Sequence, residues 1–461
     1  MSEHKVMNRW LVVVGGILIQ LCLGAIYAWS VFTKKITTPI DEGGLYGFTA
    51  KQAAWIFSAG LASFALVMVL VGPWAKKKPR MAAALGGVVL GIGYILGGFL
   101  GKSFAMQFVC IGLIGGAGIG IAYVVPIAVG IKWFPDKKGM IAGLGVAGFG
   151  FGATLWVKLA GSWFGGLLNT TSVAGLPGVQ SVFVIYGVVF LVTVLIGSIV
   201  MIDPPAGYKP KGWIPPQPGS SHSAALVEMS SRQMLRTPQY YMLVAMFTGS
   251  ALAGLMVIYC IRLFGIDALQ ASGVATDMET AGIIAGTAMA WYAILNGLGR
   301  IVWGTVSDKI GRKTSLFLMC LLQGVIMFLF LKMGGSKLGL IVGACIIGFN
   351  FGGNFALFPT ATADLFGAKN VGPNYGWVFL AYGVAGIAGP QVAGYFKDAA
   401  KTSGAGVAAW TTPFVIAGCA CLAAAVIALL LRPVKAVAVP AVSAEPSPEL
   451  AAEAEIRKSP E

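Results

Sequence analysis

Long uninterrupted apolar runs constrain this chain more than any other feature of its sequence. Several of them exceed the ~20 residues that a helix needs to cross a hydrocarbon core of about 30 Å. Of the 461 residues, 57% are hydrophobic and only 11% are charged, whereas soluble domains average roughly 25% charged residues. Because lipid offers the backbone no hydrogen-bond partner, such runs fold as helices. The sequence therefore predicts an all-α membrane protein.

Charged, Pro-rich or Gly-rich breaks divide the apolar runs into twelve predicted spans. Because twelve is an even number, both termini are expected on the same side of the membrane. The predicted spans are residues 10–32, 51–75, 81–100, 104–131, 138–163, 180–202, 239–263, 280–305, 314–333, 338–361, 372–396 and 407–431.

The loops on the two sides of the predicted spans differ in their content of lysine and arginine. The richer set includes residues 76–80, 132–138, 209–236 and 309–313, and the opposite set has few bases. By the positive-inside rule the richer loops, and with them both termini, face the cytoplasm. We therefore expect a multi-pass protein that is embedded in the lipid bilayer of the cell inner membrane.

An internal repeat divides the chain into two related halves. Identical residues recur 232 positions apart, as for Gly72 and Gly304 and for Arg80 and Arg312. Other pairs with the same separation are Lys77 and Lys309, Tyr27 and Tyr259, Phe32 and Phe264, Phe134 and Phe366, and Lys137 and Lys369. Such a parallel repeat is typical of one major transporter architecture. The predicted domains are a first six-helix bundle, a Pro-rich cytoplasmic linker, a second six-helix bundle and a disordered cytoplasmic tail, at residues 1–202, 203–237, 238–432 and 433–461.

Composition also excludes several classes of function. The net charge of +15 does not indicate a nucleic-acid partner, because the bases lie in short loops and not along one continuous stripe. The seven cysteines lie inside apolar runs and show no metal-ligand spacing. We expect neither a metal nor another cofactor, and we expect the chain to act as a monomer.

One loop carries a recognisable motif. The segment 304–313 contains Gly304, Asp308, Gly311 and Arg312 and resembles the loop motif of the major facilitator superfamily, between the second and third helices of a half. The resemblance implies a cytoplasmic latch, formed by an acid and nearby bases, that breaks when the halves rock. A positively charged topology anchor is the alternative. The first-half copy departs from the motif, because Lys76 stands where the acid belongs.

A narrower resemblance rests on residues 122–128, the Gly-rich stretch 132–152, residues 374–376 and residues 381–390. These stretches are similar to the oxalate/formate antiporter family, which includes bacterial monocarboxylate transporters. The resemblance covers nearly all of the chain apart from the linker and the tail. It implies a secondary transporter of small organic anions that works by alternating access between two pseudo-symmetric bundles.

Arg300 is the residue that points most directly to a site. It lies about 12 Å along its helix from Asp308, where a charge costs at least about 2.5–3.5 kcal/mol. Every acid and both histidines fall in loops, in tails or near helix ends. We therefore interpret the missing counter-ion of Arg300 as a substrate carboxylate gripped by the guanidinium. A structural strut bonded to helix carbonyls is the alternative.

Other predicted site residues surround Arg300. Asn296 lies on the same helical face, where its amide can orient a carboxylate or form an interhelical hydrogen bond. The family resemblance supports both residues and implies that Tyr123 donates a hydroxyl. It also implies an aromatic cavity wall from Tyr27, Trp29, Phe351 and Phe355.

Tyr382 bears on the choice of substrate. Relatives that exchange oxalate carry a lysine in the eleventh helix, whereas this chain has Tyr382 near the corresponding position and no cation across residues 376–390. One buried cation neutralises one negative charge, which favours lactate, formate or acetate over a dianion. Oxalate/formate or other dicarboxylate exchange is the alternative, and an anion-sensing membrane receptor is an alternative of another class.

Coupling and catalysis are constrained by the same inventory of side chains. Without an intramembrane acid or histidine there is no usual proton relay, so proton symport and anion exchange both stay open. An enzyme is not expected, because the predicted path offers no carboxylate, imidazole or metal ligand as a catalytic group.

Overall fold

The computed structural model describes residues 7–38, 40–161, 163–210, 213, 228–403 and 406–434. Within these ranges every regular element is helical, and twelve helices are long and apolar enough to cross a membrane. The predicted fold class is therefore confirmed. Residues 211–212 and 214–227 of the predicted linker, and the predicted tail after residue 434, lie outside the described residues. The domain bounds at 202, 237 and 432 stay predictions.

The spanning helices are numbered α1 to α12 along the chain, and shorter helical turns between them carry no label. The twelve helices are α1 (Trp10–Leu23), α2 (Ala50–Lys77), α3 (Pro79–Leu100), α4 (Phe104–Trp133), α5 (Lys138–Gly161), α6 (Gly178–Ser198), α7 (Pro238–Ala271), α8 (Met278–Ile310), α9 (Arg312–Met333), α10 (Lys337–Phe366), α11 (Val371–Ser403) and α12 (Thr411–Leu430).

The first predicted span, 10–32, is not one continuous α-helix. After α1 the chain tightens into a 3₁₀ turn, Gly24–Ala28, and then forms a separate helix, Trp29–Thr37. A Cβ atom at Gly24 would overlap the carbonyl oxygen of Phe149, so this turn lies directly against the α5 backbone. The apolar pattern of the sequence does not reveal the turn, because residues on both sides of it are hydrophobic.

Glycines on one face of α5 bring this helix into backbone contact with α8. A Cβ atom at Gly143 would overlap the carbonyl oxygen of Arg300, and one at Gly150 would lie 3.0 Å from the Cα of Gly297. Residues four and seven apart share a helical face, so these glycines form one strip with Gly139. Small residues at such positions allow two membrane helices to approach closely. We call this contact the α5–α8 seam.

A second seam joins α2 to α11. A Cβ atom at Gly72 would lie 3.0 Å from the Cα of Pro373, and one at Gly376 would lie 3.1 Å from the carbonyl oxygen of Met68. Farther along the same helices, a Cβ atom at Gly386 would lie 3.0 Å from a methyl group of Leu61. The first six helices therefore meet the last six along two pairs of helices.

Three base-rich loops lie at the same end of the bundle, because they alternate with the other loops along the chain. They are the connections that follow α2, α4 and α8. We call this end the basic face. By the charge rule used above, it is the end that we predict to face the cytoplasm.

The α5–α8 seam predicts opposite results for two glycines of α5. Gly143→Val places methyl groups against the Arg300 backbone, and overpacking costs about 1–3 kcal/mol, which corresponds to roughly a 5- to 150-fold population shift. Gly145→Val is the control, because the nearest atom to a Cβ there is 4.0 Å away.

Spin labels on the exposed residues Lys137 and Lys313 measure the opening of the basic face. Gly143→Val should shift the distance distribution to longer values, and Gly145→Val should keep the wild-type distribution. Equal distributions for the two variants would contradict the importance of this contact.

Candidate anion site between α5 and α8

Arg300 lies on α8 at the seam with α5, and 0% of its surface is exposed. Its Nε and Nη2 atoms donate to Asn296 Oδ1 at 3.2 and 3.0 Å, and its Nη1 donates to the carbonyl oxygen of Val146 at 2.9 Å. The Phe355 ring lies 4.1 Å from the guanidinium carbon. Among the described residues no carboxylate pairs with Arg300. The protein therefore surrounds this cation with neutral groups.

Hydrogen-bond donors outnumber acceptors around the guanidinium. A guanidinium carries five N–H donors, and Arg300 uses three of them in the contacts above. The amide nitrogen of Asn296 is buried and has no hydrogen-bond partner among the described residues, and the buried hydroxyl of Tyr123 faces the guanidinium. Each unfilled buried polar group costs about 1–3 kcal/mol. Such a surplus of donors suits an anion with several acceptor oxygens.

Two tyrosine hydroxyls connect the first half to the second beside this site. Tyr27, on the 3₁₀ turn after α1, shares a hydrogen bond with Tyr382 of α11. Tyr27 and Tyr123 both lie close to the Arg300 guanidinium. The predicted residues Arg300, Asn296, Tyr123, Tyr27 and Tyr382 are thus brought together by α8, α4, the turn after α1 and α11.

Aromatic rings enclose these polar groups. The Tyr123 ring centroid lies 4.9 Å from Phe64, 5.5 Å from Phe149 and 5.2 Å from Phe379. Tyr382 lies 5.4 Å from the ring of Phe355. The sequence analysis missed Phe64, Phe149 and Phe379. Phe149 could have been found, because it stands between Gly148 and Gly150 in the Gly-rich stretch of α5, whereas nothing in the sequence distinguishes the other two.

Two predicted wall residues lie elsewhere. Phe351 packs behind Phe355, with ring centroids 5.3 Å apart, and contacts Gly254 of α7. Trp29 donates its indole N–H to the carbonyl oxygen of Ala53 and stacks on Phe183 of α6. We therefore keep Phe355 in the candidate site, treat Phe351 as its support and leave Trp29 out.

The predicted gating motif connects the two halves at the basic face. The Asp308 carboxylate accepts hydrogen bonds from the backbone N–H groups of Gly139 and Met140, each at 2.9 Å. A carboxylate at the first turn of a helix is favoured by the helix dipole. Gly304 packs its backbone against Gly139, and Gly311, with φ +87°, forms the turn between α8 and α9.

Two acids and two bases complete this contact. Arg312 pairs with Asp308 at 2.7 Å and with Asp364 at 2.8 Å, and Lys138 of α5 pairs with Asp364 at 2.9 Å. The Lys138–Asp364 pair and the hydrogen bonds from Gly139 and Met140 to Asp308 cross from one half to the other, so they favour the latch interpretation over a topology anchor. Opening of the latch during transport stays a prediction.

The first-half copy of the motif makes a different contact. Lys76 occupies the position of the acid, and its Nζ donates to Asn370 Oδ1 at 2.5 Å, in the loop before α11. This contact also crosses between the halves, but it contains no carboxylate.

The chain belongs to the Major Facilitator Superfamily, a family of membrane transporters whose sequence model matches residues 12–284 and 269–460. Together with the fold, this match defines a multi-pass membrane transporter and confirms the resemblance drawn from the loop motif.

Several curated proteins are similar over most of the chain. An uncharacterized MFS-type transporter of Escherichia coli, YhjX, is 28% identical over 82% of this chain and 86% of its own length. Apicoplast pyruvate carrier 1 of Toxoplasma gondii is 27% identical over 81% of each chain. The oxalate:formate antiporter of Oxalobacter formigenes is 26% identical over 93% of this chain and 94% of its own.

A solved structure has the same fold. The proton:xylose symporter XylE, bound to 6-bromo-6-deoxy-D-glucose, aligns with a TM-score of 0.64 over 92% of this chain and 96% of its own. At 14% sequence identity this similarity shows the fold alone.

The Asp308 contact predicts a local change in amide protection. Asp308→Ala removes the acceptor for the N–H groups of Gly139 and Met140, so hydrogen exchange in the peptide covering residues 138–142 should rise. Lys309→Ala, at the next position of α8, is the control and should exchange like the wild type. Unchanged protection in Asp308→Ala would contradict the latch.

Proposed function

We propose that this transporter moves small monocarboxylates, of the lactate, formate or acetate type, by alternating access, and that Arg300 binds the substrate carboxylate. The observation that carries the proposal is a fully buried guanidinium with only neutral partners among the described residues. A carboxylate supplies both the missing charge and the acceptor oxygens for a planar guanidinium.

The neighbouring donors give the carboxylate a defined set of partners. Two N–H groups of Arg300, the Asn296 amide nitrogen and the Tyr123 hydroxyl supply the hydrogen bonds that a carboxylate can accept. The Phe355 face under the guanidinium excludes water and adds a cation–π contact of roughly 0.5–2 kcal/mol. The aromatic walls accommodate the short apolar part of a small organic acid.

Charge balance favours a monoanion. One guanidinium neutralises one carboxylate, whereas a dianion would bring a second buried charge with no cation beside it. Tyr382, and not a lysine, faces the site from α11. The similarity to a protein named as a pyruvate carrier supports the same class of substrate.

The strut alternative accounts for only part of the geometry. The hydrogen bond from Arg300 to the Val146 carbonyl oxygen fits a strut, but a strut leaves the amide nitrogen of Asn296 without an acceptor among the described residues. Val146 belongs to α5 and Arg300 to α8, so this hydrogen bond crosses the seam. A bound carboxylate competes with Val146 for the guanidinium and thereby weakens the α5–α8 contact, which couples binding to rocking of the halves.

Proton symport and anion exchange both fit this site. Among the described residues near Arg300 no carboxylate or imidazole offers a proton relay, so a proton travels with the organic acid or a second anion returns in exchange. Oxalate/formate exchange is the second candidate, because the oxalate:formate antiporter of Oxalobacter formigenes aligns over 93% of this chain. We place the monomeric transporter in the cell inner membrane with both termini in the cytoplasm.

Replacing Arg300 tests the proposed anchor. Arg300→Ala should abolish uptake of labelled lactate into cells or proteoliposomes while membrane insertion stays normal. Arg300→Lys should restore little of it, because an ammonium lacks the fork of donors. Arg262→Ala, at an exposed arginine of α7, is the matched control and should keep transport. Wild-type flux through Arg300→Ala would reject the anchor role.

Substrate competition separates the two candidate functions. Vesicles should take up labelled lactate and formate, and unlabelled monocarboxylates should inhibit this uptake far better than oxalate. An imposed pH gradient should increase the flux if a proton accompanies the anion, whereas preloaded anion should increase it if the protein exchanges. Oxalate uptake that equals or exceeds lactate uptake would favour dicarboxylate exchange.

A further inference from the structure

A small cavity, open to solvent on one side, lies at the basic face, separate from the Arg300 site. It lies where the ends of α2 and α4 meet the start of α11. Its charged lining residues are Lys76, Lys132, Lys369 and Asp203, and the remaining lining is Ala, Val, Pro and Gly. Three bases and one acid give this lining a net charge of two positive.

Protein groups balance only part of this charge. Lys132 pairs with Asp203 at 2.6 Å. Lys76 donates to the neutral Asn370 side chain. The nearby Glu228 carboxylate accepts from the backbone N–H of Lys369 at 2.9 Å. Bringing like charges together at a partly buried position is unfavourable unless an anion joins them.

The internal repeat shows what occupies the same place in the other half. The offset of 232 residues pairs Lys76 with Asp308 and Lys132 with Asp364. Asp308 of α8 and Asp364 of α10 thus correspond to lysines in the first half, Lys76 of α2 and Lys132 of α4. The same offset pairs Met140 with Gly372. Met140 donates its backbone N–H to Asp308, and Gly372 lines the cavity. The first half therefore has no carboxylate at the positions that correspond to Asp308 and Asp364.

We propose that this cavity binds an oxyanion of the phosphate type, which supplies in the α2–α11 seam the charge that Asp308 supplies in the α5–α8 seam. Lys76, Lys132 and Lys369 are its charged partners. Because these side chains come from both halves, the bound anion holds the basic face closed. Free phosphate and the phosphate of an anionic lipid headgroup share this chemistry. The inference does not depend on the assignment of Arg300.

Thermal unfolding of the purified full-length protein in neutral detergent tests the site. Inorganic phosphate should raise the unfolding temperature of the wild type in a saturable way, beyond sodium chloride at equal ionic strength. Lys76→Asp builds the missing acid into the chain and should lose the saturable rise. Lys77→Asp makes the same charge change at an exposed neighbour outside the lining and should keep it.

A second variant keeps the test independent of folding defects. Lys369 is exposed, so Lys369→Gln should fold normally and weaken phosphate binding by roughly tenfold, as expected for loss of one charged contact. If Lys76→Asp does not yield folded protein, the phosphate-dependent rise in the unfolding temperature of Lys369→Gln tests the site by itself.

Reconstitution into phosphatidylcholine, with and without phosphatidylglycerol, distinguishes the two sources of the anion. If a lipid headgroup occupies the site, phosphatidylglycerol should stabilise the wild type but not Lys369→Gln. Added phosphate should then have no further effect on the wild type in that lipid. If free phosphate occupies the site, added phosphate should raise the unfolding temperature of the wild type in both lipids. Either result supports the site. The site is excluded if neither anion stabilises the wild type, or if both lysine variants respond like it.

Discussion

The interaction on which this structure depends is between the Arg300 guanidinium and groups that carry no charge. Asn296, the Val146 carbonyl oxygen and two aromatic rings surround the cation. Burial of a cation among neutral partners is costly, because their dipoles repay only part of the lost hydration. In the function that we propose, this buried cation between the two halves attracts an anion small enough to enter.

The seams around this cation explain how binding and movement can be linked. Glycines bring α5 and α8 into backbone contact on one side, and α2 and α11 meet in a similar way on the other. The Arg300 hydrogen bond to Val146 and the Asp308 contact with α5 both lie along the α5–α8 seam. In the function that we propose, an anion draws the guanidinium away from Val146 and thereby acts on the surface that we expect to separate when the basic face opens.

Much of the architecture could be predicted from the sequence, because apolar length, loop charge and an internal repeat are properties of single segments. The position of Arg300 deep in its predicted span, and its distance from every acid along the sequence, could be predicted by counting residues along the helix. The same spacing placed Asn296 on the helical face of Arg300. The contacts of Tyr27 with Tyr382, and of Arg300 with Val146, could not be predicted, since they join residues far apart in the chain. Trp29 is a further example: the family resemblance implied that it lines the cavity, whereas in the structure it follows the Gly24–Ala28 turn and stacks on Phe183 of α6.

The most direct test is to locate a bound substrate. A structure with 2-bromopropionate, a lactate-like acid whose bromine gives an anomalous signal, should show the carboxylate within hydrogen-bonding distance of Arg300 Nη1 and Nη2. The contact from Nη1 to Val146 should then be lost or lengthened. A ligand bound elsewhere, with the guanidinium still held by Asn296 and Val146, would contradict the assignment of Arg300 as the substrate anchor.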